Sequence, residues 1–399
     1  MRVAIVTNMP APYRVELFRF AGSYFAEMLV LFQSEVDPAR PWEQRPSLPF
    51  AHRYLRRVEV PFGARAIAIN PDLGGRLRGF HPDVVVGFGF SPTVFHSLTY
   101  SLRSRSAFVC LNDGTRFTDP VRGIEVHYRR FIVRRAAGCI AASSLAAEYL
   151  CRLGANEDRI RIVELTTDLR RIRDESGDAL RREAARSRWL LEGPTACFVG
   201  RFLPSKHVRD ACSAFLSASR NIEGARLIIV GDGPCGQGIK DWVEANGEGR
   251  ITLVGAIPWS EMTSVYAASD VLIFPATQER FGMVVIEALA AGVPVVATRT
   301  CGAGADLIRD GLNGFLVDER DVAAMSAGLK RILESPSLRR SLGAEARTVV
   351  ERHDVRLEAK RFAEALEYFR ELRGRVGEKV HCEGDKEGLH AARTGVGGG

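Results

Sequence analysis

Short apolar runs bounded by glycine, proline or charge alternate along this chain with stretches whose apolar residues recur every three or four positions. That alternation predicts an α/β chain with parallel sheets. In the first half the strand-like runs are Val3–Thr7, Met28–Phe32, Val84–Phe88, Ala107–Leu111, Cys139–Ala142 and Ile160–Val163. Pro12 is placed to open a helix through Val15, Leu17, Phe18 and Ala21, and Ser144–Leu153 reads as another. A second set begins at Thr195–Val199 and continues through Arg226–Val230, Ile251–Val254, Val271–Phe274 and Val293–Ala297, with helices expected at about 208–219, 238–245 and 260–268. Residues 166–193 lie between the sets, polar and rich in arginine, and are expected to be a linker, in part helical, between domains at 1–165 and 194–352. One apolar face, Val355, Ala359, Phe362, Leu366, Phe369 and Leu372, predicts a helix over 353–373. Residues 374–399 have almost no apolar content and are expected to be disordered.

A chain of 399 residues exceeds one ordinary core, which supports two domains. No apolar run reaches the length of a membrane helix, and Met1–Thr7 reads as a strand rather than a leader. Eight cysteines without a C-x-x-C spacing argue against a zinc site and for reduced thiols, hence a cytoplasmic setting. The net charge of +7 is uneven: residues 1–190 hold 29 Arg and no Lys against 20 Asp and Glu. A basic first half suits an anionic partner such as the inner face of a membrane, a lipid phosphate or an acidic glycan; the alternative is an evenly solvated arginine-rich surface. Nucleic acid is not favoured, because no basic stretch is interleaved with aromatics.

Candidate chemistry gathers in the second half. Glu279 and Glu287 stand eight residues apart, the first after the run Val271–Phe274 and the second within a helix expected to start near Phe281 or Gly282. Carboxylates on either side of free helix N-terminal amides suit a sugar, a diphosphate and a ribose. Gly200, Arg201 and Lys206 follow another strand end, and two cations beside a glycine turn suit a leaving diphosphate. Gly231, Gly233 and Gly236 form G-x-G-x-x-G after a strand, which invites a nicotinamide cofactor. Pro234 suits the helix start poorly, and the next strand ends in Gly255-Ala256 with no acid for an adenosine ribose, so that reading is rejected.

The stretch Glu279-Arg-Phe-Gly282 followed by Glu287-Ala-Leu-Ala-Ala-Gly292-Val-Pro294 resembles the retaining family-4 glycosyltransferases, as do Gly200-Arg201 with Lys206 and Gly231-Asp-Gly233-Pro234. The resemblance implies the GT-B fold: two Rossmann-like domains facing a cleft, with a last helix crossing back to the first. It also implies retaining transfer from a nucleotide diphosphate sugar, UDP- or GDP-linked, with no cofactor and no metal. The acceptor would be a glycan or a lipid-linked sugar of the cell envelope or an exopolysaccharide. In this reading Arg201, Lys206 and the amides near Phe281, Gly282, Met283 and Val284 hold the diphosphate. Glu279 holds the donor sugar, Glu287 the ribose, and Ile257 lies near the base. Gly200, Gly231 and Gly233 let backbone approach the nucleotide. On the acceptor side, Pro12, Tyr13 and Arg14 resemble the first loop of a subset of the family. Asp113, after Ala107–Leu111, occupies the place where relatives often have a His or an acid near the reacting sugar. His127 is the nearby histidine and reads as a surface residue. A GT-B-like sugar-nucleotide epimerase or phosphorylase, and a non-catalytic nucleotide-sugar-binding relative, remain as alternatives.

Overall fold

The computed structural model describes residues 1–35, 48–62 and 65–391. The first domain contains β1 (Arg2–Thr7), β2 (Glu27–Phe32), β3 (His52–Tyr54), β4 (Val58–Phe62), β5 (Arg65–Ile69), β6 (Val84–Phe88), β7 (Ala107–Asn112), β8 (Gly138–Ala141) and β9 (Ile160–Ile162). Seven of these make one sheet in the order β3-β2-β1-β6-β7-β8-β9, while β4 and β5 form a separate antiparallel ribbon. The second domain contains β10 (Thr195–Val199), β11 (Arg226–Val230), β12 (Ile251–Gly255), β13 (Val271–Phe274), β14 (Val295–Thr298) and β15 (Gly314–Val317), in the order β12-β11-β10-β13-β14-β15. The pairings within both large sheets are parallel. Helices cover both faces, so strands such as β6, β10 and β13 are buried almost throughout and read as continuous apolar runs.

Both sheets reverse direction of winding, between β1 and β6 in one domain and between β10 and β13 in the other. At such a point two neighbouring strands send their following loops to opposite sides and leave a crevice at the carboxyl ends, where ligands of open α/β sheets bind. The loops after β1, β10 and β13 carry candidate residues at these points, while Gly231 and Gly233 follow β11, Ile257 follows β12 and Asp113 follows β7.

The region expected to be a part-helical linker does hold helices, and they pack on a core shared with the second domain. Residues 169–188 form the helices Leu169–Ser176 and Ala179–Arg188, and Leu169, Ile172, Ala185 and Leu191 are buried in the same core as Ile228, Leu272 and Phe274. Four apolar anchors suffice to dock two helices whose other faces are charged. The crossing helix is as expected: Val355, Ala359, Phe362, Leu366 and Phe369 are buried against Ile5, Phe18 and Val86 of the first domain. Phe369 lies on the bare Gly138, where a Cβ would stand 2.1 Å from its ring. This helix runs Val355–Ala391, past the expected limit at 373, so the expected disorder from 374 is corrected as far as 391; no proline interrupts it. Residues 392–399 lie outside the described residues. The pattern did not predict the helix Leu73–Phe80, which carries Gly74, Gly75 and Gly79 and has poor intrinsic propensity.

One glycine shows how tightly the second crevice is built. Gly231 has φ of 141°, and a Cβ there would lie 1.9 Å from the Gly200 carbonyl oxygen. The loops after β10 and β11 are bound together, Phe202 N–H donating to the Asp232 carbonyl at 2.8 Å and Cys235 N–H to the Phe202 carbonyl at 3.0 Å. Gly231→Ala is expected to cost on the order of 2–3 kcal/mol, read as a lowered urea midpoint.

Candidate active site

In the second domain the residues converge at the switch point. The turn Pro204–Lys206 is a single 3-10 turn that ends at His207 in a left-handed conformation, φ 49°. It is fastened to the β13 loop by Thr277 N–H donating to the Ser205 carbonyl at 3.0 Å, and by His207 Nε2 beside Thr277 Oγ1 at 3.0 Å. This brings Lys206 Nζ onto the Glu279 carboxylate as a part-buried ion pair, and 5.4 Å from the centre of the Phe274 ring. Arg201 is exposed and has neither an ion pair nor a side-chain hydrogen bond among the described residues.

The helix Met283–Ala290 starts behind Gly282, with no side-chain cap and no acid in its first turn. Val285 N–H donates to the Gly282 carbonyl at 2.9 Å, while among the described residues the Met283 and Val284 amides have no partner, the arrangement that favours an anion. Gly282 has φ of 96°, and a Cβ would strike Cys301 Sγ at 2.6 Å. Phe281 is a core residue, 1% exposed, whose carbonyl accepts from Ala303 N–H at 2.7 Å. Only its backbone is available to a ligand. Ile257 and Met283 are partly buried on the same apolar core. Gly200, Gly231 and Gly233 all lie in the two interlocked loops.

Glu287 is on this helix but is 5% exposed, and it accepts a hydrogen bond from Tyr266 Oη at 2.7 Å. Burial pushes its carboxyl up to about 7, against the opposing hydrogen bonds of Tyr266 and Trp259. The ribose role expected of Glu287 thus falls on a carboxylate already held by a tyrosine.

In the first domain Pro12 is at the start of the helix Pro12–Ala21, its fixed φ suited to that position. Tyr13 is partly buried against a core cluster that holds Ala142 of the first domain together with Leu272 and Phe274 of the second. Arg14 does not reach out as expected. It is 5% exposed, lies 3.5 Å over the Phe88 ring, and donates to Thr7 Oγ1 at 3.0 Å and to Asn8 Oδ1. Its Nη2 stands 3.6 Å from Asp113. Asp113, also 5% exposed, is not the free cleft acid expected: its other oxygen accepts from Arg280 Nη1 at 2.7 Å. His127 is exposed on the helix Ile124–Arg135.

Three contributors have no role assigned from the sequence. Arg280, directly after Glu279, reaches the first domain and also binds Asp119, Nη2 to Oδ1 at 2.9 Å. Asp306 accepts from Ser144 N–H at 2.8 Å and from the Ser144 hydroxyl, capping a first-domain helix from the second domain. Glu-Arg-Phe-Gly is legible as part of the motif, yet nothing local says where the arginine points. The third lies where the chain crosses between domains. The ligand atoms of Glu164, His353 and Glu358 lie within 4.8 Å of one another, a donor set suited to a divalent cation. Glu358 there already accepts from Glu164 N–H at 3.0 Å and from Arg361, so its carboxylate is engaged within the protein.

Two parallel-stranded Rossmann-like domains, with switch points facing one another and a terminal helix returned to the first, define the GT-B architecture. Residues 181–349 match the family model of glycosyl transferases group 1. Over 305 residues the chain is 26% identical to alpha-D-kanosaminyltransferase of Streptomyces kanamyceticus, covering 75% of this chain and 76% of that one. It is 33% identical over 226 residues to D-inositol 3-phosphate glycosyltransferase of Nocardia farcinica, covering 54% of this chain and 49% of the relative. The chain spans about half or less of the length of several other curated relatives it matches. Among solved structures, Anabaena HepE in complex with UDP superposes with a TM-score of 0.75 at 18% identity, covering 92% of this chain and 100% of that chain. The family match falls on the second domain, and the chain as described has the GT-B fold.

Proposed function

We propose that the protein transfers a sugar from a UDP-linked donor to a hydroxyl of a glycan or lipid-linked acceptor, with retention at the anomeric carbon and no required metal. The observation that carries this reading is the convergence of Lys206 and Glu279, 73 residues apart in sequence, at the switch point of the second sheet, with Arg201, exposed and unpaired among the described residues, on the same loop as Lys206. A site that only bound a nucleoside would have no use for cations aimed at a diphosphate. Structures of HepE have been obtained with UDP and with UDP-glucose, which favours uridine over guanosine for this chain.

In this reading Arg201 and the amides behind Gly282 hold the diphosphate. Lys206 neutralises the charge that develops on it, and Glu279 holds hydroxyls of the donor sugar. The bond from the anomeric carbon to the diphosphate oxygen breaks on the face where the acceptor hydroxyl forms its new bond. The acceptor proton passes to the departing diphosphate. Asp113, held by two arginines, is not needed as a base. Glu287 meets the ribose by exchanging its tyrosine hydrogen bond for ribose hydroxyls.

Thermal shift with UDP, GDP, ADP and NAD tests the donor class. Stabilisation by UDP is expected, and stabilisation by NAD alone would overturn the assignment. A donor screen with nucleotide release separates transfer from an epimerase, a phosphorylase or a binding-only relative, because only transfer consumes an acceptor.

A lipid-linked acceptor is favoured by the helix Ile124–Arg135. It exposes Ile124 (88%) and Phe131 (40%) beside Arg122, Arg134 and Arg135, an apolar and basic face suited to anionic headgroups. Among the described residues no helix is long and apolar enough to cross a membrane, so such contact is peripheral. Cosedimentation with phosphatidylglycerol vesicles is expected to exceed that with neutral vesicles. It should fall severalfold in the double variant Arg134→Glu, Arg135→Glu.

A further inference from the structure

The loop from β13 to the helix Met283–Ala290 sends two adjacent charges in different directions. Glu279 turns back to Lys206 in its own domain, whereas Arg280 crosses the cleft and holds two carboxylates of the other domain, Asp113 at 2.7 Å and Asp119 at 2.9 Å. A planar guanidinium is the side chain suited to bridging two carboxylates in a fixed geometry. The receiving groups are set before Arg280 arrives. Asp113 directly follows β7 of the first-domain sheet and is supported by Arg14, which is itself stacked on Phe88 and bound to Thr7 and Asn8. Asp119 is held by its N–H donating to the Thr115 carbonyl at 2.9 Å, in a turn where a Cβ on Gly114 would lie 2.1 Å from Asp119 Oδ2.

Charge balance gives the contact a direction. Asp113 and Asp119 carry two negative charges and Arg14 supplies one positive charge. Without Arg280 the first domain retains an uncompensated carboxylate in a partly buried pocket, which is costly. On the other side, Arg280 lies between Glu279 and the core residue Phe281, whose carbonyl is hydrogen-bonded to Ala303. With Phe281 fixed, Arg280 cannot move far without moving Glu279.

We propose that Arg280 is a positioning residue that couples approach of the two domains to the placement of Glu279, by bridging Asp113 and Asp119 across the cleft. The coupling to catalysis rests on the proposed role of Glu279. The bridge itself does not, and it is measured separately.

The test uses the full chain and the variants Arg280→Ala, Asp119→Ala, both together, and Arg280→Lys. Small-angle scattering is expected to give a larger radius of gyration for Arg280→Ala and Asp119→Ala than for the wild type. The double variant should be no more open than Arg280→Ala, because both remove the same bridge. UDP affinity by calorimetry should stay within about threefold of wild type, since the diphosphate residues are untouched, while nucleotide release in the presence of acceptor falls tenfold or more. Arg280→Lys should recover part of the release rate, an ammonium being able to hold one carboxylate but not both. A wild-type radius and release rate in Arg280→Ala would overturn the proposal. So would a loss of UDP affinity as large as the loss of turnover, which would mean direct donor contact. If the wild type binds no UDP, the donor reading fails while the scattering still decides the bridge.

Discussion

Lys206→Ala is expected to lower transfer by about 10²–10³-fold with little change in the folding midpoint. The magnitude is that of removing one preorganised charge from a site where negative charge develops during reaction. Lys206 is well placed for this role, because its 3-10 turn is fastened to the β13 loop and Phe274 lies beneath the ammonium. The fold should tolerate the loss. Glu279, the partner left behind, is on a loop with its side chain 22% exposed, so water can reach the carboxylate. Glu279→Ala should likewise abolish transfer with the fold retained, and Arg201→Ala combined with Lys206→Ala should weaken UDP binding. Turnover is read by nucleotide release and folding by thermal melting. Wild-type turnover in the Arg201, Lys206 double variant, with donor and acceptor supplied, would sink the site.

Glu287→Gln is expected to separate stability from binding. Burial holds the Glu287 carboxyl up at about 7, against an ordinary value of 4.5. The folded state therefore binds this proton more tightly than the unfolded chain. The resulting stabilisation is present below pH 4.5, is lost progressively as pH rises towards 7, and changes no further above it. Keeping the buried carboxylate ionised at pH 8 costs roughly 3 kcal/mol on this basis. A neutral glutamine can still accept from Tyr266, so the variant should melt a few degrees higher than wild type at pH 8, with the advantage gone by pH 5. Glu358, pushed up to about 7 mainly by burial, adds a parallel dependence to wild type and variant alike, so only the difference between them reports Glu287. UDP affinity should move the other way. Ribose hydroxyls donate to the carboxylate and favour the anion, so wild-type affinity should rise from pH 6 to pH 8 and the glutamine variant should bind more weakly at pH 8. Equal affinity at all pH values would remove Glu287 from the nucleotide site.

Much of the fold was legible because parallel sheets are buried on both faces. Continuous apolar runs such as Ala107–Leu111 and Val271–Phe274 became β7 and β13 with little adjustment. Some elements missed had weak local signals, such as the short edge strand His52–Tyr54 and the glycine-bearing helix Leu73–Phe80, but the amphipathic helices Pro92–Arg103 and Val322–Glu334 were also not predicted. In the site, glycine turns after strand ends marked where backbone must pack closely, and Gly231 and Gly282 show why no other residue fits there.

The sequence by itself indicated the two α/β domains, the returning helix and Arg201, Lys206, Glu279 and Glu287 as candidate donor residues. The elements follow from apolar runs and helical periodicity, the candidates from charges near strand ends and from the family resemblance. Tertiary structure alone decided what those charges meet. Arg14 and Asp113 lie on different elements of one domain and Arg280 on the other, so no spacing in the chain could pair them. Glu287 was expected on a helix to meet a ribose, and only the packing of Tyr266, on a neighbouring helix, makes it a buried, hydrogen-bonded carboxyl. Burial and long-range partners depend on how layers stack, and a linear pattern carries that only after the layers are assembled.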